Sequence, residues 1–333
     1  RQAHAAHAHR TSAAMLRIAS AVATDPGLRR EDNEDSYCAR ADLGLYMVAD
    51  GMGGHAAGEI ASKIAVDVVE AFVDETRDAD VNRTWPFPYD ASLSLDGNRL
   101  KAALRLANRR LAAAMAENDA LRGMATTAAA VLVSGTDKMP VIAHVGDSRV
   151  YLCRGGRLRQ ITQDHSWVSE QVRAGVLSET DARRHPWRNV VTRALAGGDD
   201  PDVDIDEVTI EAGDRLVICS DGLSGVVAPD RFEQIVVVPG SLDARCEALI
   251  KAAIAKLQNQ EIFKVRVHPD QQQLMRQCLE QSGRGSAVEV LSDPGQPRGR
   301  VSFEIARGTL DASVDTQLRE IENGLVDQLE RRA

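Results

Sequence analysis

Apolar and polar positions alternate in short blocks from about Ile18 onward. Leu43-Gly-Leu-Tyr-Met-Val-Ala49 is a continuous apolar run closed by Asp50, the pattern of a strand buried on both faces. Tyr37-Cys38-Ala39 reads as its neighbour across a turn at Asp42-Leu43-Gly44. The run ends in Asp50-Gly-Met-Gly-Gly-His-Ala-Ala-Gly58, after which Ile60, Ile64, Val68 and Phe72 recur at helical spacing. A strand, a glycine turn and a helix therefore follow one another. Gly97 to Asn118 repeats the helical period, with Leu100, Leu104, Ala107 and Leu111 on one stripe that faces a core. Between the helices, Asp78 to Asp96 is rich in turn formers and predicts an insertion loop.

Strand signals resume at Thr126 to Val133, Val141 to Val145, Val150 to Cys153 and Leu158 to Thr162, with Gly155-Gly156 marking a hairpin. A polar helical stretch from Ser166 to Ala182, a short strand near Val190 and a strand over Arg215 to Cys219 follow. Beyond about Asn259 the character changes. A strand at Phe263 to Val267, a helix-like run to Gln281, strands at Val288 to Leu291 and Val301 to Ile305, and a last helix from about Ser313 to Glu330 form a separate α+β pattern. This places a boundary near Lys256 to Gln260. The expected organisation is a disordered tail over 1–15, a large domain over 16–257 and a small α+β domain over 258–333.

Composition narrows the classes. The chain has 333 residues with 44% hydrophobic content, ordinary for a globular protein with a core. A net charge of -9 argues against a nucleic-acid surface, which needs clustered cations. The 5 cysteines (Cys38, Cys153, Cys219, Cys246 and Cys278) form no Cys-x-x-Cys pair and read as reduced thiols of a cytoplasmic protein. No apolar run approaches the roughly 18 residues that cross a bilayer, and the opening RQAHAAHAHR has no apolar leader core.

Acidic residues gather where the backbone turns sharply. They are Glu34 and Asp35, Asp50 before Gly51, Asp147 in Gly146-Asp-Ser-Arg149, and Asp221 before Gly222. Carboxylates at strand ends suit a hard cation such as Mg²⁺ or Mn²⁺, and a following glycine permits close approach and leaves its carbonyl as a further ligand. If Asp50 bridges two cations, a water between them becomes acidic enough to supply hydroxide near neutral pH. A guanidinium that grips phosphate oxygens would complete such a site, and Arg30 stands four residues before Glu34.

These segments carry a family resemblance. Arg30-Glu-Asp-Asn-Glu-Asp35, Val48-Ala-Asp-Gly-Met-Gly-Gly-His55, Gly123-Met-Ala-Thr-Thr127, His144-Val-Gly-Asp-Ser-Arg149, Gln163-Asp-His-Ser166, Val191-Thr-Arg-Ala-Leu195 and Ile218-Cys-Ser-Asp-Gly-Leu223 occur in order. Over about Ile18 to Ala253 the chain is similar to the bacterial branch of the PPM, or protein phosphatase 2C-like, family of metal-dependent serine/threonine phosphatases. The resemblance implies an α+β fold: a β-sandwich of two antiparallel sheets flanked by helices, in α/β/β/α layers. It also implies two Mn²⁺ or Mg²⁺ ions, with a weaker third, and a phosphorylated serine/threonine protein as substrate. By matching position, Asp50 would bridge the metals, Gly51 would lend its carbonyl and Asp221 would complete one shell. Glu34 and Asp35 would hold metal-bound waters, Asp147 with Asp221 would form the third site, and Arg30 would hold substrate phosphate. His55 is read as structural.

One element of the family pattern is absent. The family closes its domain with an Asp-Asn pair leading into a final strand, the aspartate being a metal ligand, whereas residues 248–267 contain no aspartate. The segment that stands there has its own resemblance. Val265-Arg-Val-His-Pro-Asp270 and Gly308-Thr-Leu-Asp-Ala-Ser-Val-Asp-Thr-Gln-Leu-Arg-Glu-Ile-Glu322 resemble the C-terminal domain of the stator, or ATPase-regulator, subunits of flagellar and type III secretion systems. That resemblance implies docking to a secretion ATPase through residues 258–333. Three readings follow: a phosphatase docked to a secretion apparatus, a phosphatase-like adaptor or stator subunit impaired by the missing ligand, and a junction of two unrelated fragments near Gln258.

Overall fold

The computed structural model describes residues 17–28, 32–53, 57–78, 85–134, 139–258, 262–281, 288–295, 297–298, 301–305 and 308–311. It divides into two units between Ala253 and Ile254. The strands of the first unit are β1 (Asp35–Arg40), β2 (Leu45–Met52), β3 (Ala125–Thr126), β4 (Ala128–Leu132), β5 (Val141–Val145), β6 (Arg149–Arg154), β7 (Arg157–Gln160), β8 (Asp204–Glu207) and β9 (Arg215–Cys219). Its helices are α1 (Ala57–Glu75), α2 (Leu95–Glu117), α3 (Trp167–Arg173), α4 (Glu179–Ala182), α5 (Asp221–Ser224), α6 (Pro229–Val237) and α7 (Leu242–Gln258), the last running across the division.

One antiparallel sheet has the order β1-β2-β4-β5-β8, with β3 paired to the end of β2; the other has the order β7-β6-β9. The period of two along each strand distributes side chains between the layers. On β4, Ala128, Ala130 and Leu132 join the core shared with α1 and α2, while Ala129 and Val131 turn to a second core with Ile142, Val150, Leu216 and Ile218. Beyond the other sheet, Tyr151, Cys153 and Cys219 pack with Phe232, Ile235, Leu249 and Ala253 of α6 and α7. The cores lie between helices and sheet, sheet and sheet, and sheet and helices, giving the four layers expected.

Several elements depart from the sequence pattern. On β2, Leu45, Met47 and Ala49 are buried but Tyr46, Val48 and Asp50 are only half-buried, so the strand is covered fully on one face alone. The helical stretch after Ser166 breaks at Gly175, whose φ of 72° ends α3. Near Val190 there is no named strand, only a single bridge from Ser166 to Val191. Part of the expected insertion loop is packed, since Phe87 is buried and lies under the Arg109 guanidinium at 4.1 Å. The Gly155-Gly156 hairpin has φ of 57° and 78°, the pair of left-handed residues that a tight hairpin turn of this hand requires.

The second unit contains β10 (Ile262–Val267), α8 (Gln272–Gln281), β11 (Glu289–Ser292), β12 (Val301–Ile305) and β13 (Gly308–Asp311). Its sheet has the order β11-β10-β12-β13, with β10 and β11 parallel and connected through α8. Val265, Val267 and Val290 are its buried centre, with Met275 and Leu279 of α8 packed on them. Both edges of β10 are taken by β11 and β12, so the segment standing where a closing strand would be belongs to this sheet. Among the described residues β9 is accordingly an edge strand. The expected last helix, 313–330, lies outside the described residues.

Candidate functional site

Four aspartates arrive at one end of the sandwich on different elements. Asp35 opens β1 and faces Asp50 directly across the β1–β2 ladder. Asp147 sits in the turn from β5 to β6, and Asp221 follows β9 at the start of α5. Glu34 immediately precedes β1, its backbone carbonyl accepting from the Gly51 amide at 3.1 Å.

The approach of α1 to β2 explains two of the glycines. A Cβ on Gly51 would lie 1.9 Å from the Gly58 carbonyl oxygen, and one on Gly58 would lie 2.9 Å from Glu34 Oε1. The first contact is with backbone and closes Gly51 to any side chain, whereas at Gly58 a Cβ would displace the end of the Glu34 side chain, one of the carboxylates gathered here.

Hydroxyls fix the aspartates from behind. The Asp50 amide donates to Thr127 Oγ1 at 3.0 Å, and its carbonyl accepts from the Thr127 amide and the Thr126 hydroxyl, each at 2.9 Å. Thr127 Oγ1 also shares a hydrogen bond of 2.7 Å with Ser148, the residue after Asp147. Ser220 donates to Asp35 Oδ2 at 2.7 Å, tying the end of β9 to the start of β1. The turns that carry Asp50 and Asp147 are thus held by one buried threonine, and those of Asp35 and Asp221 by one serine.

The electrostatics of this end are unfavourable as they stand. Burial, followed by the charges of Asp35, Asp221 and Asp147, pushes the Asp50 carboxyl up to about 9. Burial and the neighbouring Asp221 and Asp164 push Asp147 up to about 7. Like charges directly opposite on paired strands cost stability, and a cluster that raises its own proton affinity in this way is suited to hold divalent cations instead. The oxygen-only donor set fits Mg²⁺ or Mn²⁺.

Of the residues singled out in the sequence, Glu34, Asp35, Asp50, Gly51, Asp147 and Asp221 gather at this end; Arg30 and His55 lie outside the described residues. The supporting hydroxyls had no local signal, although Thr127 and Ser148 fall within the quoted segments. No aspartate from residues 248–267 joins the cluster, because the stretch has none and its first part is taken up by α7.

The layered sandwich with a carboxylate-lined end has the form expected of a cation-dependent phosphatase. The chain belongs to the protein phosphatase 2C family, whose model matches residues 24–261. It is 35% identical over 236 residues to the protein phosphatase PhpP of Streptococcus pneumoniae, covering 69% of this chain and 89% of that protein. The crystal structure of the Mycobacterium tuberculosis serine/threonine phosphatase PstP/Ppp superposes with a TM-score of 0.60 at 34% identity, over 70% of this chain and 90% of that one. The PstP catalytic domain in complex with 2 manganese ions superposes with a TM-score of 0.56 at 34% identity, over 70% of this chain and 89% of that one. Residues 243–321 match the model of the flagellar assembly protein FliH.

Proposed function

We propose that this chain hydrolyses phosphoserine and phosphothreonine in proteins, using Mn²⁺ or Mg²⁺ held by its acidic end. The carrying observation is the convergence of Asp35, Asp147 and Asp221 on the half-buried Asp50 carboxyl. Asp50 and Asp221 would hold the cations directly with the Gly51 carbonyl. Glu34 and Asp35 would act through water, and Asp147 with Asp221 would form a weaker third position. Bound there, divalent cations supply positive charge to the phosphoryl oxygens and lower the pKa of water. Thr127 fixes Asp50 through backbone and hydroxyl together, and Ser220 orients the Asp35 carboxylate. Arg30 is assigned to the substrate phosphate, which a guanidinium grips through two parallel hydrogen bonds.

A phosphopeptide assay with Mn²⁺ tests this reading. Phosphate release by the chain, abolished by chelation and by Asp50→Asn, is expected; metal-independent release, or none, overturns it. The second reading, an adaptor without turnover, is favoured by one observation, the lack of any aspartate over residues 248–267. It predicts phosphopeptide binding without hydrolysis.

The FliH match at 243–321 supports a docking role for the C-terminal unit, with a secretion-system ATPase as partner. Co-purification of such an ATPase with the full chain, lost when the chain ends at Gln258 while hydrolysis is retained, is the expected result. Equal recovery with both chains removes the docking role.

A further inference from the structure

Behind the Asp147 turn, on the side away from Thr127, lies a second group of ionisable side chains. His144, His165 and Asp204 bring three ligand-type atoms within 4.8 Å of one another, the spacing of a metal site. Their hydrogen bonds point elsewhere. The Gly146 amide donates to His165 Nδ1 at 3.0 Å, which assigns the ring proton to Nε2, and Nε2 lies 3.1 Å from Asp204 Oδ2. Both nitrogens of His165 are then committed, so this ring keeps no lone pair for a cation; the buried nitrogen of the group without a partner among the described residues belongs to His144, whose Nε2 lies 3.0 Å from the Gln163 carbonyl oxygen. The arrangement is a backbone clamp with an orienting carboxylate.

The clamp closes on one residue. The His165 amide donates to the Gly146 carbonyl at 2.9 Å while the ring accepts from the Gly146 amide, so both polar groups of that peptide position are gripped by one side chain and its own backbone. Gly146 has a φ of 107°, and a Cβ there would lie 2.6 Å from the Thr127 methyl carbon. The glycine is therefore wedged between Thr127 and His165, with Asp147 next in the chain. His165 is itself fixed on all sides: it is 1% exposed, stacks on the His144 ring at 4.6 Å, and its carbonyl accepts from Thr192. Asp204 is held in turn by Arg193, whose Nη1 donates to Oδ1 at 3.0 Å.

We infer that His165 is a positioning residue for the metal centre: oriented by Asp204, it sets the Gly146 peptide and so the direction in which Asp147 enters the acidic cluster. The inference rests on the proposed role of Asp147 in cation binding and extends it to a residue with no place in the ligand set. Asp147 has a buried backbone turn behind it, and Asp221, which would share its cation, enters from the start of α5. Loss of the clamp should therefore weaken the position that needs Asp147 and spare those built on Asp50.

The test counts Mn²⁺ directly, by calorimetric titration and electron paramagnetic resonance of the full chain, independently of turnover. His165→Asn places an amide oxygen near the Nδ1 position and keeps the bond from Gly146; His165→Gln reaches toward Asp204 and loses it. His165→Gln should weaken the weakest class of Mn²⁺ site by about 10-fold or more, the usual scale for groups that orient a ligand, with the tighter sites unchanged. His165→Asn should restore most of it, at equal melting temperature. Equal weakening in both variants, or weakening of all sites alike, makes His165 a packing residue and overturns the inference. Mn²⁺ binding by wild type with no change in His165→Gln overturns it too, whereas no Mn²⁺ binding by wild type falls on the cation reading itself. Zn²⁺ binding that Asp204→Ala removes would show that the three residues are a metal site and reject the clamp.

Discussion

The two groups of ionisable side chains flanking Gly146 satisfy their charge in opposite ways. In the acidic cluster, Asp35, Asp50, Asp147 and Asp221 face one another, and each raises the cost of ionising Asp50. In the histidine cluster a paired chain runs from Gly146 to His165, from His165 to Asp204 and from Asp204 to Arg193, while His144 bonds through Nε2 to the Gln163 carbonyl and leaves its buried Nδ1 without a partner among the described residues. Burial depresses the His165 pKa. Burial alone would raise Asp204, but the hydrogen bond from His165 and the charge of Arg193 bring it below its usual range. The chain from Gly146 to Arg193 is paired within the protein and fits a scaffold; the acidic cluster sets carboxylates against one another and fits a site that cations would complete. Spacing of ligand-type atoms does not separate the two, but the direction of the hydrogen bonds does.

The largest test of this contrast is Asp50→Asn. It should lower phosphopeptide turnover by about 10³-fold or more, the scale of losing a central transition-state electrostatic group, while in chelator the fold is retained or stabilised because repulsion is relieved. Parallel loss of stability and activity would put Asp50 in the scaffold class. Next is cation addition. Mn²⁺ at about 100 times its dissociation constant should stabilise the fold by about 2.7 kcal/mol, seen as a melting shift of roughly 5–10 °C that Asp204→Asn leaves in place and Asp50→Asn removes. A smaller effect is expected of Ser220→Ala, which removes one hydrogen bond to Asp35 Oδ2 and should weaken Mn²⁺ about 10-fold in titration with little change in melting temperature.

The smallest effect is a pH slope with opposite signs for the two clusters. In chelator, Asp50 and Asp147 have folded pKa values above their unfolded ones, so their contribution is present in acid and is lost as pH rises toward about 7 and about 9. His165 and Asp204 have lowered folded values, so their contributions are present at neutral pH and are lost as pH falls. The melting advantage of Asp50→Asn over wild type should grow from about pH 5 to 8, and the contribution of the Asp204 carboxylate should stay constant over that range and be lost only as pH falls below 3.8. The same slope in both variants would erase the distinction.

Legibility in the sequence followed the range of the interactions. Asp50 and Asp221 could be picked out because a strand end, an acid and a glycine adjoin within a few residues, and the helices α1 and α2 because their apolar stripes are local. The support beneath them was not legible, since the partner of the Asp50 amide is a threonine 77 residues away and nothing around Thr127 announces that bond. β8 escaped because Asp204-Ile-Asp-Glu207 carries the composition of a loop; only its pairing with β5 makes it a strand. The role of His165 was hidden for a related reason: its side chain answers to Gly146 and Asp204, and neither is near it in sequence. The placement of β10 depended on two later strands, β11 and β12, which pair with both its edges.

The contact between Gly51 and Gly58 has a consequence for how this molecule can change over generations. Gly51 is closed to every side chain by the Gly58 carbonyl, and a side chain at Gly58 would push aside Glu34, so neither position can change without moving α1 or a carboxylate of the site. A carboxylate at the acidic end can be exchanged for an isosteric amide without moving the backbone, whereas any side chain at Gly51 must displace the start of α1.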